Sequence, residues 1–253
     1  VGSEKYIKVI LSSLLSPLTS YSLRHNFHGG IFMHKIFDRD VEFPILIGIC
    51  GGSGSGKSEF AQNIASEIDD LVIISTDNFY RDLSYMSEEE RKKVDFDKPS
   101  SVDIDELYYT LAKIKKNNLS EIAIPEYDFK DHVRRKEKKI VTIRKVVIIE
   151  GLFIFTDERV RDLFDYKIFV DSASGERLAR RLDRDEKVRG RDKIDIVDQW
   201  RRNVEPGFQR HIRFTKSYAD FVINSRFEEP IDQPFLQKPL QVFVSALKYM
   251  LNR

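Results

Sequence analysis

The sequence predicts an α/β fold, a parallel sheet with helices over both of its faces. Three observations point there. Short runs that are apolar throughout, such as Ile45 to Cys50, recur along the chain, as strands buried on both sides require. Segments with helical spacing lie between those runs. The glycine-dense octapeptide Gly51 to Ser58 falls directly between one such run and one such helix.

With 253 residues the chain has room for one sizeable domain and is short for two. A net charge of +1 gives no global field that would favour nucleic acid or an anionic membrane, so any electropositive site must be local. The single cysteine, Cys50, excludes an intramolecular disulfide framework and reads as a small buried residue at a strand end. No apolar stretch approaches the roughly 20 residues of a membrane span, so a soluble, cytoplasmic protein is expected.

The elements follow in order. Residues 1–43 read as an N-terminal extension. It has no acidic residue between Glu4 and Asp38, Val1-Gly2-Ser3 has the look of a cloning remnant, and Met33 that of a native start. A loosely packed extension is expected there, with part of an organellar leader as the alternative. Residues 44–253 are expected to form the catalytic domain, with too little chain after the last motif for a second one. Ile45 to Cys50 predicts the first strand and Lys57 to Ile68 a helix. Leu71 to Ser75 is a second strand, ending at Thr76-Asp77. Ser87 with Glu90 three residues on resembles a capping box, and Pro99 then breaks the chain. Ile104, Leu107, Tyr108 and Leu111 share one helical face. Ile122 to Ile124 and Ile140 to Ile143 flank a polar stretch as two strands of a projecting hairpin would. Val146 to Ile149 and Ile168 to Val170 complete the strand set.

Gly51-Gly52-Ser53-Gly54-Ser55-Gly56-Lys57-Ser58 fits the phosphate-binding pattern G-x-x-x-x-G-K-[ST], after a strand and before a helix. Its glycines let the backbone turn so that N–H groups point into the loop, and the helix N-terminus adds its positive end. Lys57 is then expected to neutralise phosphate charge and Ser58 to ligate Mg²⁺. A glycine-rich turn without a ligand is the bland alternative, and the strand-loop-helix setting disfavours it. Ligands of an open parallel sheet gather at the carboxyl ends of its strands. Two carboxylates stand there. Asp77 follows one apolar run and Glu150 another, and such a pair suits a hard ion that takes one or two carboxylates. Asp77 is also the expected general base for a hydroxyl acceptor. The alternative for each is a turn former or helix cap.

Several further motifs, taken together, resemble the ordered series of the uridine kinases. They are Asp77-Asn78-Phe79-Tyr80, Phe96-Asp97-Lys98-Pro99 with Asp103, and Ile124-Pro125-Glu126-Tyr127-Asp128-Phe129 with His132 and Arg134. Glu150-Gly151, the arginine-rich segment Arg180 to Arg191, and Pro206 to Ile223 continue the series. The resemblance implies a P-loop NTPase fold with a parallel five-stranded sheet, a β-hairpin over the acceptor site and an arginine-rich lid. It implies Mg²⁺-dependent transfer of the γ-phosphate of ATP or GTP to the 5′-hydroxyl of uridine or cytidine. Asp77 matches the family's base and magnesium-linked aspartate, and Ser58 and Glu150 its other metal-site residues. Tyr80 lies beside the acceptor, and Asp103 matches the carboxylate that holds the ribose hydroxyls. Tyr127, Phe129 and His132 match contacts to the pyrimidine. Arg191 and Gln199 match further nucleoside contacts, and Arg181, Arg184 and Arg189 match lid arginines, with Arg181 near the nucleoside as well and Arg184 acting on the transferred group. Trp200 stands where a smaller aromatic is expected. Homo-oligomers, commonly tetramers, are usual among such proteins.

Physical chemistry supports these residue types. A nucleoside offers a flat ring for aromatic stacking and a vicinal diol for a carboxylate. Read alone, Tyr127 and Phe129 are more simply a strand's core face and His132 a surface histidine. Arg177, Arg180, Arg181 and Arg184 fall at helical spacing on one face with Leu178 and Leu182 on another, which reads either as a solvated charged helix balanced by Glu176, Asp183, Asp185 and Glu186 or as a lid over the triphosphate. Related kinases acting on phosphoribulose, pantothenate or nicotinamide riboside are the nearest rivals, and a non-catalytic nucleotide-binding regulator the next. An RNA-binding module is disfavoured by the balanced charge.

Overall fold

The computed structural model describes residues 42–116, 119–225 and 234–252. The expectations for the extension therefore lie outside the described residues, apart from its last two positions. The sheet has five parallel strands: β1 (Ile45–Cys50), β2 (Leu71–Ser75), β7 (Val146–Gly151), β8 (Tyr166–Asp171) and β9 (Phe221–Asn224). They lie in the order β2-β7-β1-β8-β9. The strand at Phe221–Asn224 completes the five that the resemblance implied.

Both faces are covered, as the unbroken apolar runs require. Ile45, Ile47 and Ile49 of β1, with Val146 and Ile148 of β7, join one core, packed against Phe60, Ala61 and Ile64 of helix α1 (Lys57–Ala65) and Phe243, Val244 and Leu247 of the C-terminal helix (Pro234–Leu251). Leu46, Cys50, Val147 and Ile149 point into the other core, which holds Leu107, Leu111 and Ile114 of helix α3 (Ile104–Lys116) together with Phe153, Phe155 and Phe208. Alternation within each strand thus feeds two cores, and burying each large apolar side chain contributes about 1.5–3 kcal/mol. Cys50 is fully buried, and loss of water around its thiol pushes its pKa up to about 12.

Helix α1 stops three residues before the expected Ile68, because its end tightens into the turn Glu67 N–H to Ile64 carbonyl and Ile68 N–H to Ala65 carbonyl. Ser87 does cap a short helix, α2 (Glu88–Arg91), with both reciprocal capping bonds to Glu90. The hairpin is two short ladders in series: β3 (Glu121–Ile124) pairs antiparallel with β6 (Lys139–Thr142), and nearer the tip β4 (Tyr127–Asp128) pairs with β5 (Val133–Arg134). A four-residue helix, α4 (Glu158–Arg161), precedes β8.

Helix α5 (Ser174–Arg189) departs from the solvated alternative. Its buried residues are Arg177, Arg181 and Asp185, so the charged face is turned inward. Beyond it a helical rod runs from α6 (Lys193–Gln199) through a π-wound stretch at Trp200–Val204, one α-turn at Glu205–Gly207, and a second π-wound stretch at Phe208–Ile212. No helix among the described residues is long and apolar enough to cross a membrane.

Candidate active site

The register brings Ser75, Ile49 and Glu150 level at the carboxyl edge of the sheet. Strand order reverses direction at β1, which has β7 on one side and β8 on the other, and the crevice at such a point is where open α/β sheets bind ligands. The loop Gly51 to Gly56 rises there. Gly54 (φ 77°) and Gly56 (φ 93°) take left-handed conformations, and a Cβ on Gly54 would sit 2.2 Å from the Arg177 carbonyl oxygen. Ser55 N–H closes the turn on the Gly52 carbonyl at 3.0 Å. No side chain caps α1, so the N–H groups of its first turn stay available to an anion in the loop.

Lys57 and Ser58 both engage Glu150: Lys57 Nζ is 3.7 Å from its Oε2, and Ser58 Oγ donates to the same oxygen at 3.2 Å. Asp77 lies one turn beyond β2, where its own N–H donates to Ser75 Oγ. Burial, then the charge of Glu150, raises its pKa above the ordinary carboxylate value, with Lys57, Arg189 and Arg184 opposing. Two carboxylates that repel each other beside a hydroxyl make an all-oxygen donor set suited to one hard divalent ion completed by phosphate oxygens. The described residues contain no cluster of three or more carboxylate, imidazole or thiol ligands.

On the far side of Asp77 the aromatic rings assemble. Tyr80 is 5.4 Å centroid to centroid from both Phe96 and Tyr127 and 6.4 Å from Phe129, and Phe96 stacks on His132 at 5.0 Å. Tyr127 is 4% exposed and its hydroxyl has no hydrogen-bond partner among the described residues, while Phe129 is 46% exposed. His132 adopts φ 55°, and burial with the nearby Arg91 and Arg191 lowers its pKa. Arg134, quoted in the sequence motif without a role, ties the hairpin to the base turn: its Nε donates to the Tyr80 carbonyl at 2.7 Å and its Nη2 to that of Phe79 at 3.3 Å.

The arginine segment closes the third side. Arg181 Nη1 donates to Ser53 Oγ at 2.8 Å, and Arg181 Nη2 and Arg191 Nη1 both donate to Gln199 Oε1, at 3.0 and 2.7 Å. Arg184 and Arg189 act electrostatically on Asp77. Most of the expected residues therefore gather around one crevice. Asp103 stands against the base turn, its N–H donating to the Phe79 carbonyl at 2.8 Å, but its carboxylate is engaged locally. It accepts the Glu106 N–H at 3.1 Å at the start of α3 and lies 3.8 Å from Arg134 and 3.9 Å from Arg81. The carboxylate within electrostatic reach of Arg181 and Tyr80 is Asp97. Burial pushes it up to about 6, Arg181 opposes the rise, and Asp95 and Asp185 add to it.

Arg177, grouped by the sequence with the other arginines of the helical face, is turned into the interior. It is 1% exposed, paired with Glu205 at 2.6 Å, and 3.8 Å from the Phe208 ring centroid. Sequence reasoning missed Arg91: its Nε is buried without a hydrogen-bond partner among the described residues, near Tyr127 and His132. The one signal for Asp103 lay in the sequence, since Asp103 followed by Glu106 is a helix-capping pattern.

Comparison with known proteins agrees with this geometry. Residues 46–231 match the model of the phosphoribulokinase/uridine kinase family. The chain is 38% identical to a uridine kinase of Clostridium novyi (strain NT) over 211 residues, 83% of this chain and 97% of that one. It is 43% identical to a uridine kinase of Borreliella burgdorferi (strain ZS7) over 178 residues, 70% and 85% of the two chains. The fold also matches a D-glycerate 3-kinase from Cryptococcus neoformans var. grubii with a TM-score of 0.56 at 16% identity, covering 81% of this chain and 96% of that one. With the family model spanning most of its length, the chain belongs to the phosphoribulokinase/uridine kinase family and is a P-loop kinase that draws its phosphoryl group from a nucleotide.

Proposed function

We propose that the protein phosphorylates the 5′-hydroxyl of a pyrimidine nucleoside, uridine or cytidine, from ATP or GTP with Mg²⁺. The observation that carries this reading is the ring cluster of Tyr80, Phe96, Tyr127, Phe129 and His132 around the approach to Asp77. A sugar phosphate or pantothenate offers no flat ring to such a cluster, whereas a nucleobase does.

In this reading the loop amides, the first turn of α1 and Lys57 hold the β- and γ-phosphates, while Ser58, Asp77 and Glu150 hold the metal. Mg²⁺ bound there supplies neutralisation of phosphate charge. Asp77 accepts the proton of the 5′-hydroxyl as the phosphoryl group arrives. Arg184 and Arg189 stabilise charge on the transferred group. Asp97 takes the role first assigned to Asp103, accepting the ribose hydroxyls beside Arg181. Tyr127 Oη, His132 and the Arg191–Gln199 pair address the base edge.

The test is an ADP-release assay with ATP and Mg²⁺ across uridine, cytidine, adenosine, pantothenate and ribulose 5-phosphate. Turnover confined to the two pyrimidine nucleosides, and lowered about 10²- to 10⁴-fold in Asp77→Asn at intact nucleotide binding, is expected. Turnover of a non-nucleoside would refute the acceptor assignment.

A further inference from the structure

Asp185 has no role in the scheme above, yet it is fully buried at 0% exposure. Its Oδ1 accepts Arg184 Nε at 2.8 Å and lies 3.4 Å from Arg189 Nη1, and its Oδ2 lies 3.5 Å from Arg181 Nε and 3.8 Å from Arg191 Nη1. Its backbone carbonyl accepts the Arg191 N–H at 3.1 Å and the N–H of Gly190, which ends α5. Among the described residues no other carboxylate stands within ion-pairing reach of these four arginines.

We propose that Asp185 is a positioning residue: an internal anion that gathers the guanidinium groups of Arg181, Arg184, Arg189 and Arg191 over the phosphate loop before any phosphate arrives. The inference rests on the reading that these arginines serve the phosphates and the nucleoside. Four like charges in so small a volume repel one another, and a buried carboxylate is tolerated only when its charge is matched. Each requirement answers the other. The four are not equivalent. Arg181 is held by Ser53 and Gln199, and Arg191 by the same Gln199 oxygen, so that half of the cluster is fixed. Arg184 and Arg189 keep 41% and 43% of their side-chain surface exposed and, among the described residues, have no second carboxylate within ion-pairing distance, Asp77 acting on them from farther away. These are the two that an incoming phosphate takes over, while Asp185 keeps its hold on the fixed pair. The facing atoms Arg181 Nε and Asp185 Oδ2 are both buried without a hydrogen bond, 3.5 Å apart. A small closing movement would join them.

The test uses the full chain without nucleotide, titrated with inorganic tripolyphosphate while the thermal midpoint is followed, wild type beside Asp185→Asn. A ligand that binds only the folded state raises the midpoint with concentration. The variant is expected to be less stable without the anion and to gain more from it than wild type, because the external charge replaces the lost internal one. Its kcat is expected to fall about 10²-fold, with the nucleoside KM changed far less. Equal shifts in the two proteins, or a loss of stability that tripolyphosphate does not relieve, would overturn the proposal. If Asp185→Asn does not fold, the double variant Asp185→Asn/Arg189→Gln, with one cation fewer, must recover folded protein. Failure of that recovery would show that packing, not charge, is what Asp185 supplies. A wild type that ignores tripolyphosphate would sink the phosphate reading of the arginines itself, an outcome distinct from one confined to Asp185.

Discussion

The donor and acceptor sides of the crevice are built on different principles. On the donor side charge is set against charge: Glu150 takes Lys57 and Ser58, and Asp185 takes the arginines. On the acceptor side the framework is ring against ring; among the described residues buried polar atoms without a hydrogen bond occur on both sides, Tyr127 Oη and Arg91 Nε here and Ser55 Oγ, Arg177 Nη1, Arg181 Nε and Asp185 Oδ2 at the phosphate loop. Phosphates must therefore exchange with existing ion pairs, which makes donor binding sensitive to salt. In the proposed reading a nucleoside instead meets aromatic rings, which ties its affinity to shape and to a few hydrogen bonds.

Substitutions that touch one side and spare the other probe this contrast. Lys57→Met is expected to lower kcat about 10³-fold, with nucleoside binding by calorimetry unchanged. Loss of both would mean that the sides are not independent. Arg177→Met strands Glu205 and removes a cation wedged beneath the loop, and is expected to cost about 3 kcal/mol in urea unfolding. Tyr127→Phe should raise the nucleoside KM several-fold, about 1 kcal/mol, and leave the nucleotide KM alone. Since the hydroxyl removed is buried and unpaired, stability should not fall.

Asp97→Asn changes stability in the opposite direction to Arg177→Met, with a definite sign. The folded-state pKa of about 6 stands above the ordinary value of 3.8. The folded protein therefore holds the Asp97 proton more tightly than the unfolded chain does, and ionisation of this group penalises folding as pH rises from 3.8 through about 6. The variant should be more stable than wild type by about 3 kcal/mol at neutral pH, with the gain vanishing near the unfolded pKa. Its nucleoside turnover should fall at the same time. A variant no more stable than wild type above the folded pKa would show that Asp97 is not destabilised by its burial.

Legibility in the sequence followed locality. The phosphate loop is contiguous, and the strands announce themselves as apolar runs, so Gly51 to Ser58 and the sheet were readable directly. The charged face of α5 was not, because arginines at helical spacing ordinarily face water. Here Arg177 and Arg181 are buried because Glu205 and Gln199, from the next helical rod, and Ser53, from the loop, receive them. Asp97 was passed over for the same reason. What brings it into the proposed site is Arg181, 84 positions away, and no local pattern marks such a pairing. Asp103 shows the converse, since its local capping signature was present and was outweighed by resemblance.

The rod from Lys193 to Ile212 brings these distant partners together on one axis. Gln199 meets Arg181 and Arg191, Glu205 meets Arg177, and Gly207 packs so closely on Asp97 that an added Cβ would lie 2.4 Å from its carbonyl oxygen. Its residues act as the teeth of a gear cut to a fixed pitch. Inserting or deleting one residue between Gln199 and Gly207 would turn everything beyond it by about 100° and disengage all later contacts together. Length changes in this gene segment should be far less tolerated than single substitutions, which makes residues 199–207 the natural ruler for aligning this chain with its relatives.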